Sequence, residues 1–419
     1  MKSLTIMHTT CHTQWGGLEK RIYNECCWME KKGHRIIIAA PSKTPLAEKA
    51  LAKTNQGWLY IPMEFTAATA PGDFITLQKW FSRLTPDILN SHGNMDAKTA
   101  LPSAWLAGGK KVGLRILSRH ISSHVKPSLH NKLLYKNMCH HVFTTAKCTS
   151  ENLVSTLGLD PGRVSTIPSG ISPPVPLPDH DTARRNLALE LGLEPESRFI
   201  GFAGRVSPDK GVESIIRAFL DIREEIPQYH LVIVGAGEES YLEKLDNIVE
   251  SRKMDSTKRV HGRAKAKIRH SRDGHISSRR HNPSLKLRSR NVHMTGFKEN
   301  IWRYIRAFDC KILASAIPFE GIPQALLEAM FAKCPVIASR SGGIPEIVIH
   351  GRTGVLFTPN NEDEIGERIL DILNRKYDIP LMTDLAHNMV KENNTIDSMG
   401  EHILEMYDNA FTVLHGRKR

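Results

Sequence analysis

The chain alternates between short apolar runs and amphipathic runs, does so twice over, and breaks between the two series at a proline-rich stretch. In the first series "SLTIMHTT", "HRIIIAAP", "TPDILNSHG", "VGLRILSRH" and "HVFTTA" read as strands. "GGLEKRIYNECCWMEKKG" reads as a helix ending in Lys-Lys-Gly, a common helix terminus. Strands that are apolar throughout and alternate with helices need a parallel sheet covered on both faces. "TIPSGISPPVPLPDHD", with five prolines, then reads as a linker. Beyond it the alternation restarts with "RFIGFAGR", "GVESIIRAFLDIREEIP", "YHLVIVGAG" and "SYLEKLDNIVESRK", and continues through "VHMTGF", "NIWRYIRAF", "CKILAS", "PQALLEAMFAK", "PVIAS" and "TGVLFTP". The fold class is therefore α/β, with two doubly wound parallel-sheet domains. Ligands of such sheets sit at the carboxyl ends of the strands, and the cleft between two of them is the natural active site.

A length of 419 residues accommodates two domains. The expected division is 1–172, a linker over 173–195, a second domain over 196–385, and a helical segment over 386–419 placed to pack back on the first domain. With 40% hydrophobic and 24% charged residues the profile is that of a soluble globular chain. Apolar runs of 18 or more are absent, so no spanning helix is expected, and "MKSLTIMHTT" reads as a first strand rather than a leader. The seven cysteines are scattered and lack CxxC spacing, which indicates neither a zinc site nor a disulfide framework. A reducing, cytoplasmic location is expected.

The net charge of +13 is concentrated in one place. Residues 251–290 hold 14 Lys/Arg against two Asp, whereas the remainder has 43 basic and 42 acidic residues. The segment has too few apolar residues for a core, and disorder is its expected state. A tolerated insertion, attraction to an anionic membrane surface and non-specific phosphate contact are its three readings. It has no aromatic residue, so base stacking and specific nucleic-acid recognition are not indicated.

Three motifs carry candidate chemistry. "FAGRVSPDKG" places Gly204, Arg205 and Lys210 after a strand, where two cations fit a diphosphate or an ordinary solvated loop. "VIVGAGEES" has a GxG without the third glycine of a dinucleotide fingerprint. "PFEGIPQALLEAM" puts Glu320 and Gly321 in a loop, Pro323 in a first helical turn and Glu328 within the helix. Amides of Gly321 and Ile322 at a helix N-terminus would hold phosphate, and the two carboxylates would accept sugar hydroxyl protons. A dipole-favouring Glu and a solvated Glu explain the same spacing without a ligand.

Taken in order, "FAGRVSPDKG", "PFEGIPQALLEAM" and "SRSGGIPEIVIHGRTGVLF" resemble the donor-binding half of retaining GT-B glycosyltransferases, most closely glycosyltransferase family 4 with its Glu–seven residues–Glu signature. In the amino-terminal half "WGGLEKRIYNE", "PDILNSHG", "LSRH" and "TIPSGI" resemble the family's glycine-rich loop, His-bearing strand ends and interdomain turn. The resemblance spans nearly the whole chain apart from residues 251–290. It implies a GT-B architecture of two Rossmann-like domains, 1–172 on the acceptor side and 196–385 for the nucleotide sugar. By the same resemblance Arg205 and Lys210 bind the diphosphate, Glu328 the ribose, and Glu320 with the Gly321 and Ile322 amides the transferred sugar. His120 stands at the reacting carbon, and Gly16 and Gly17 let their loop close over the donor. His92 contacts acceptor or donor, or makes structural hydrogen bonds; Trp15 stacks on an acceptor or packs its loop; Glu346 caps or orients a loop, or contacts the sugar.

The implied activity is metal-independent, cofactor-free, retaining transfer of a sugar, most simply a hexose, from a nucleotide diphosphate sugar to a glycan or lipid-linked acceptor. Cell-surface polysaccharide or lipopolysaccharide synthesis, in the cytoplasm or peripheral on the inner face of the membrane, is the implied setting. A sugar-nucleotide epimerase or hydrolase, and a basic phosphate-binding module on a degenerate scaffold, are the alternatives.

Overall fold

The computed structural model describes residues 3–66, 71–261, 288–289, 291–315 and 320–416. The first sheet contains β1 (Thr5–Thr9), β2 (Arg35–Ala40), β3 (Leu59–Pro62), β4 (Ile88–Ser91), β5 (Leu114–Arg119), β6 (His141–Thr144) and β7 (Val164–Thr166). Its order is β3-β2-β1-β4-β5-β6-β7, with every pairing parallel. The second contains β8 (Arg198–Ala203), β9 (Tyr229–Val234), β10 (Arg288–Ser289), β11 (Val292–Gly296), β12 (Cys310–Leu313), β13 (Val336–Ser339) and β14 (Val355–Phe357). Its order, β10-β11-β9-β8-β12-β13-β14, repeats the first plan without a counterpart of β7 and with a two-residue antiparallel strand added at the other edge. Each sheet reverses direction of winding beside its first strand, between β1 and β4 and between β8 and β12, and such a switch point opens a crevice at the strands' carboxyl ends.

The period-two geometry of a strand explains how one sheet supports two cores. Met7, Ile37, Leu89, Leu117 and Val142 pack on one face of the first sheet, while Ile6, Ile36, Ile38, Ile88, Ile116 and Phe143 pack on the other. The second sheet is buried in one continuous core that includes Phe199, Phe202, Leu231, Ile233, Ile312 and Ile337.

Three elements differ from the sequence-based expectation. The stretch expected as linker carries a helix, His180–Leu191, capped by Asp179, whose Ala183, Leu187 and Ala188 belong to the second core. Its apolar spacing is short and lies directly behind the prolines, which masked it. Helix Glu239–His261 runs into the start of the basic segment, so disorder does not hold for 251–261; residues 262–287 and 290 lie outside the described residues. "NIWRYIRAF" forms only the short helix Trp302–Ile305.

The last helix, Ile396–Gly416, lies on the first domain. Met399, Ile403 and Tyr407 enter the core formed with Ile22, Cys26 and Trp28 of helix Gly17–Lys31. Trp28 Nε1 donates to Asp397 Oδ1 at 2.8 Å, and Ile171 pairs with Thr395 where the chain crosses back. Among the described residues no helix is long and apolar enough to cross a membrane.

Candidate active site

Both switch-point crevices face one cleft. From the second sheet, β12 delivers the chain to Ser315, and helix Gln324–Phe331 begins shortly after. Pro318 and Phe319 of the glutamate motif lie outside the described residues. Glu320 follows them and forms an isolated antiparallel bridge with Ile121 of the other domain. Its carbonyl accepts from Ser122 Oγ at 2.6 Å and from Gly343 N at 3.0 Å. Its carboxylate accepts from Ser315 Oγ at 2.9 Å and pairs with Lys210 Nζ. Gly321 has no room for a side chain: a Cβ there would stand 2.0 Å from Thr145 Oγ1 and 2.9 Å from the His120 carbonyl oxygen. Ile322 is buried behind it. Pro323 is the cap residue immediately before the helix rather than part of its first turn, because its extended ψ of 121° ends the loop.

Glu328 lies within the helix, and its Oε1 is 3.7 Å from Lys20 Nζ across the cleft. Beneath it Lys311, in the middle of β12, is fully buried and donates to the Ala325 carbonyl. Burial lowers the Lys311 ammonium to about 8, against the opposing pull of Glu328.

Lys210 ends a short turn, Pro208–Lys210, on the loop after β8. Arg205, on the same loop, is more exposed and pairs with Asp209 at 3.2 Å. The GxG that follows β9 serves this loop's packing. A Cβ on Gly235, whose φ is 155°, would be 1.8 Å from the Gly204 carbonyl oxygen. Two βα loops can lie this close only with glycine between them.

From the first sheet comes the loop after β1. Gly16 donates its N–H to Glu19 Oε2 at 2.7 Å and so starts helix Gly17–Lys31. Gly17 lies beside the Gln324 side chain of the opposite domain. Glu19 is buried, which raises its carboxyl pKa, and it lies within the electrostatic reach of Arg205. Trp15 packs edge-on against Tyr23, with ring centroids 6.2 Å apart, and Lys49 Nζ stands 5.0 Å from its ring, a loop-packing arrangement. The cleft is tied at a further point: Glu346 accepts the N–H groups of Lys147 and Cys148, each at 2.8 Å, and so caps helix Lys147–Leu157 of the first domain.

Behind the cleft three imidazoles stand in line. His8 Nδ1 is 2.8 Å from His92 Nε2, and His92 Nδ1 is 3.0 Å from His120 Nε2. Both nitrogens of His92 thus have histidine partners and the residue is buried, the structural hydrogen bonding that is one of the two readings of it. Burial depresses all three, His8 to about 3 and the others well below the usual range, with the Arg21 cation adding to the effect on His92 and His120.

His8, Lys20 and Lys311 were not singled out by sequence reasoning. His8 and Lys311 each carry one detectable signal, a polar side chain inside a strand that is otherwise buried. Such a group must be satisfied by a specific partner, which makes it worth attention.

A family model described as Glycosyl transferases group 1 matches residues 184–270 and 277–395, and one described as Glycosyltransferase Family 4 matches residues 15–173. A subunit of the human phosphatidylinositol N-acetylglucosaminyltransferase is 23% identical over 94% of this chain and 73% of its own length. A GDP-mannose-dependent alpha-(1-6)-phosphatidylinositol monomannoside mannosyltransferase of Mycolicibacterium smegmatis is 28% identical over 49% of this chain, and the match spans 46% of that relative. Among solved structures, a glycosyltransferase of Rickettsia africae superposes with a TM-score of 0.74 at 16% identity, covering 98% of this chain and 99% of its own. The HepE protein of Anabaena in complex with UDP-glucose gives 0.71 at 18%, covering 97% and 99%.

Proposed function

The chain belongs to the glycosyl transferases group 1, glycosyltransferase family 4, with the GT-B fold, and from that premise we propose that it transfers a hexose from a nucleotide diphosphate sugar to a glycan or lipid-linked acceptor with retention of configuration. The supporting observation is the meeting at one cleft of Lys210, Glu320 and Glu328 from the second sheet with His120 and the Gly16–Gly17 loop from the first. Glu328 accepts the ribose hydroxyls in this reading, and Lys20 moves from its carboxylate toward the donor. Lys210 exchanges the Glu320 carboxylate for the diphosphate, leaving Glu320 to read the sugar.

The chemical requirement is departure of the nucleoside diphosphate from an oxocarbenium-like centre. Arg205 and Lys210 meet the developing negative charge in a site shielded by both domains, where fixed charges act strongly. The acceptor hydroxyl attacks on the face the leaving group vacates, and the departing phosphate oxygen takes its proton. Protein cations carry out the charge stabilisation, so a metal ion is not required in this reading. Relatives whose names specify phosphatidylinositol acceptors support a lipid-linked acceptor, and a cell-surface polysaccharide or lipopolysaccharide role extends that reading.

Thermal denaturation of the full chain with UDP, GDP and ADP, each with EDTA present, tests this. One nucleotide should raise the melting temperature by binding only the folded state. Glu328→Ala should weaken that nucleotide by about tenfold or more, the loss of charged hydrogen bonds, whereas Arg205→Ala should lower turnover more than affinity. A chain that melts cooperatively yet responds to none of the three removes the proposal. Donor consumption without any acceptor, or a product of inverted anomeric configuration, removes transfer or retention respectively.

A further inference from the structure

Three histidines of the first sheet lie at neighbouring positions because β1, β4 and β5 are adjacent strands. His8 lies within β1, His92 directly follows β4 and His120 directly follows β5. Their rings are nearly parallel, 19° and 24° apart, with centroids at 5.1 and 5.2 Å. The two links occupy four of the six ring nitrogens. Of the other two, His8 Nε2 is buried without a partner, and His120 Nδ1 has none among the described residues.

We propose that His8 is a positioning residue that, through His92, fixes which nitrogen of His120 carries the proton, so that His120 offers Nδ1–H to the cleft as a donor. The functional weight of this rests on the reading that places His120 against the transferred sugar.

Each link needs one donor and one acceptor, and a neutral imidazole has one N–H. Only two proton arrangements satisfy both links. In the first, all three protons are on Nδ1, and His8 Nε2 is an unused lone pair. In the second, all three are on Nε2, and His8 buries an N–H with no acceptor. Orphaned buried N–H groups are the rarer defect in folded proteins, so the first arrangement is favoured. Protonating His92 would turn both its nitrogens into donors and force both neighbours to accept. Burial and the nearby Arg21 guanidinium oppose that charge. The order is collective: reversing His120 requires reversing His92 and His8 as well. A ligand that accepts at His120 Nδ1, such as a sugar hydroxyl or a phosphate oxygen, finds the donor already set. A ligand that needs an acceptor there must reverse the whole line.

The test combines nitrogen NMR of the 15N-histidine-labelled full chain with turnover of the nucleotide sugar. In the parent, His120 should show Nδ1 protonated and Nε2 bare, with and without UDP. His8→Asp places an acceptor-only carboxylate opposite His92 Nε2 and should reverse the line, leaving His120 protonated on Nε2 and bare on Nδ1, with kcat about tenfold lower and nucleotide affinity within about twofold. His8→Asn keeps an amide donor near the former Nδ1 and should restore the Nδ1–H tautomer and most of the rate. A parent His120 protonated on Nε2, or a His8→Asp chain with unchanged His120 signals, overturns the inference. Because the tautomer is read without turnover, a chain with the stated tautomers and no sugar transfer would fail the proposed function and leave this inference standing.

Discussion

At the scale of single residues, the histidine line also sets how the fold responds to acid. In the unfolded chain a histidine takes a proton near 6.5, whereas folded His8 refuses it until about 3 and His141 until about 4. Below 6.5 the unfolded state therefore binds more protons, so stability falls as pH falls and is fully present above that value. The loss is about 1.4 kcal/mol per pH unit for each such group between its two pKa values. Chemical denaturation of the parent should show stability dropping from pH 7 to pH 5, and the His8→Asn chain should lose less over the same interval. Equal slopes for the two chains would mean that His8 does not govern this window. Glu320 and Glu328 were legible because a spacing motif marks them, while His8 was not. Within "SLTIMHTT" a histidine reads as one polar position in a strand, and its partner, His92, comes from the end of a strand 84 residues further along the sequence. Lys311 escaped notice for the same reason, since only the packed helix above it supplies the Ala325 carbonyl that satisfies it.

At the scale of elements, the last helix shows how closely the two ends of the chain are fitted. Gly400 faces Trp28 so closely that a Cβ would lie 2.2 Å from the indole ring. The indole cannot retreat easily, because its Nε1 is tied to Asp397 on the same helix. Gly400→Ala must therefore lift the helix or displace the ring, an overpacking strain of about 1–3 kcal/mol. Scanning calorimetry should show a melting temperature lower by several degrees, about 2–4 °C per kcal/mol for a domain of this size. An unchanged melting temperature would mean the helix slides freely over Trp28. The βαβ rhythm was readable because buried strands are apolar throughout and differ visibly from helices. The helix His180–Leu191 was not, because prolines dominate the stretch before it and its three buried residues are two alanines and a leucine. Pro323 shows the usual uncertainty at an element's end, where one residue separates a cap from a first turn.

At the scale of the whole molecule, topology sets the described residues that flank the basic segment apart from the cleft. The site is built at the carboxyl ends of the strands. Helix Glu239–His261 starts near the carboxyl end of β9 and returns the chain toward the amino ends, where β11 begins beside it in parallel. The described chain thus reaches residue 261 and resumes at residue 288 toward the amino ends of these strands, the opposite end from the candidate site. Residues 262–287 hold eight Lys/Arg and one Asp. Cations close to an anionic surface add about 1 kcal/mol each, and salt screens the attraction within a Debye length. Replacing 262–287 with a short Gly-Ser link should leave the affinity for the recognised nucleotide within about twofold, since none of the residues described in the cleft is replaced. The same replacement should reduce co-sedimentation with vesicles rich in phosphatidylglycerol by at least about tenfold at low salt, with the difference shrinking as salt is raised. Equal sedimentation of the two chains would exclude the segment as a membrane contact. A loss of nucleotide binding would mean that the segment acts on the cleft although the order of strands sets its flanking residues at the other end of the sheet.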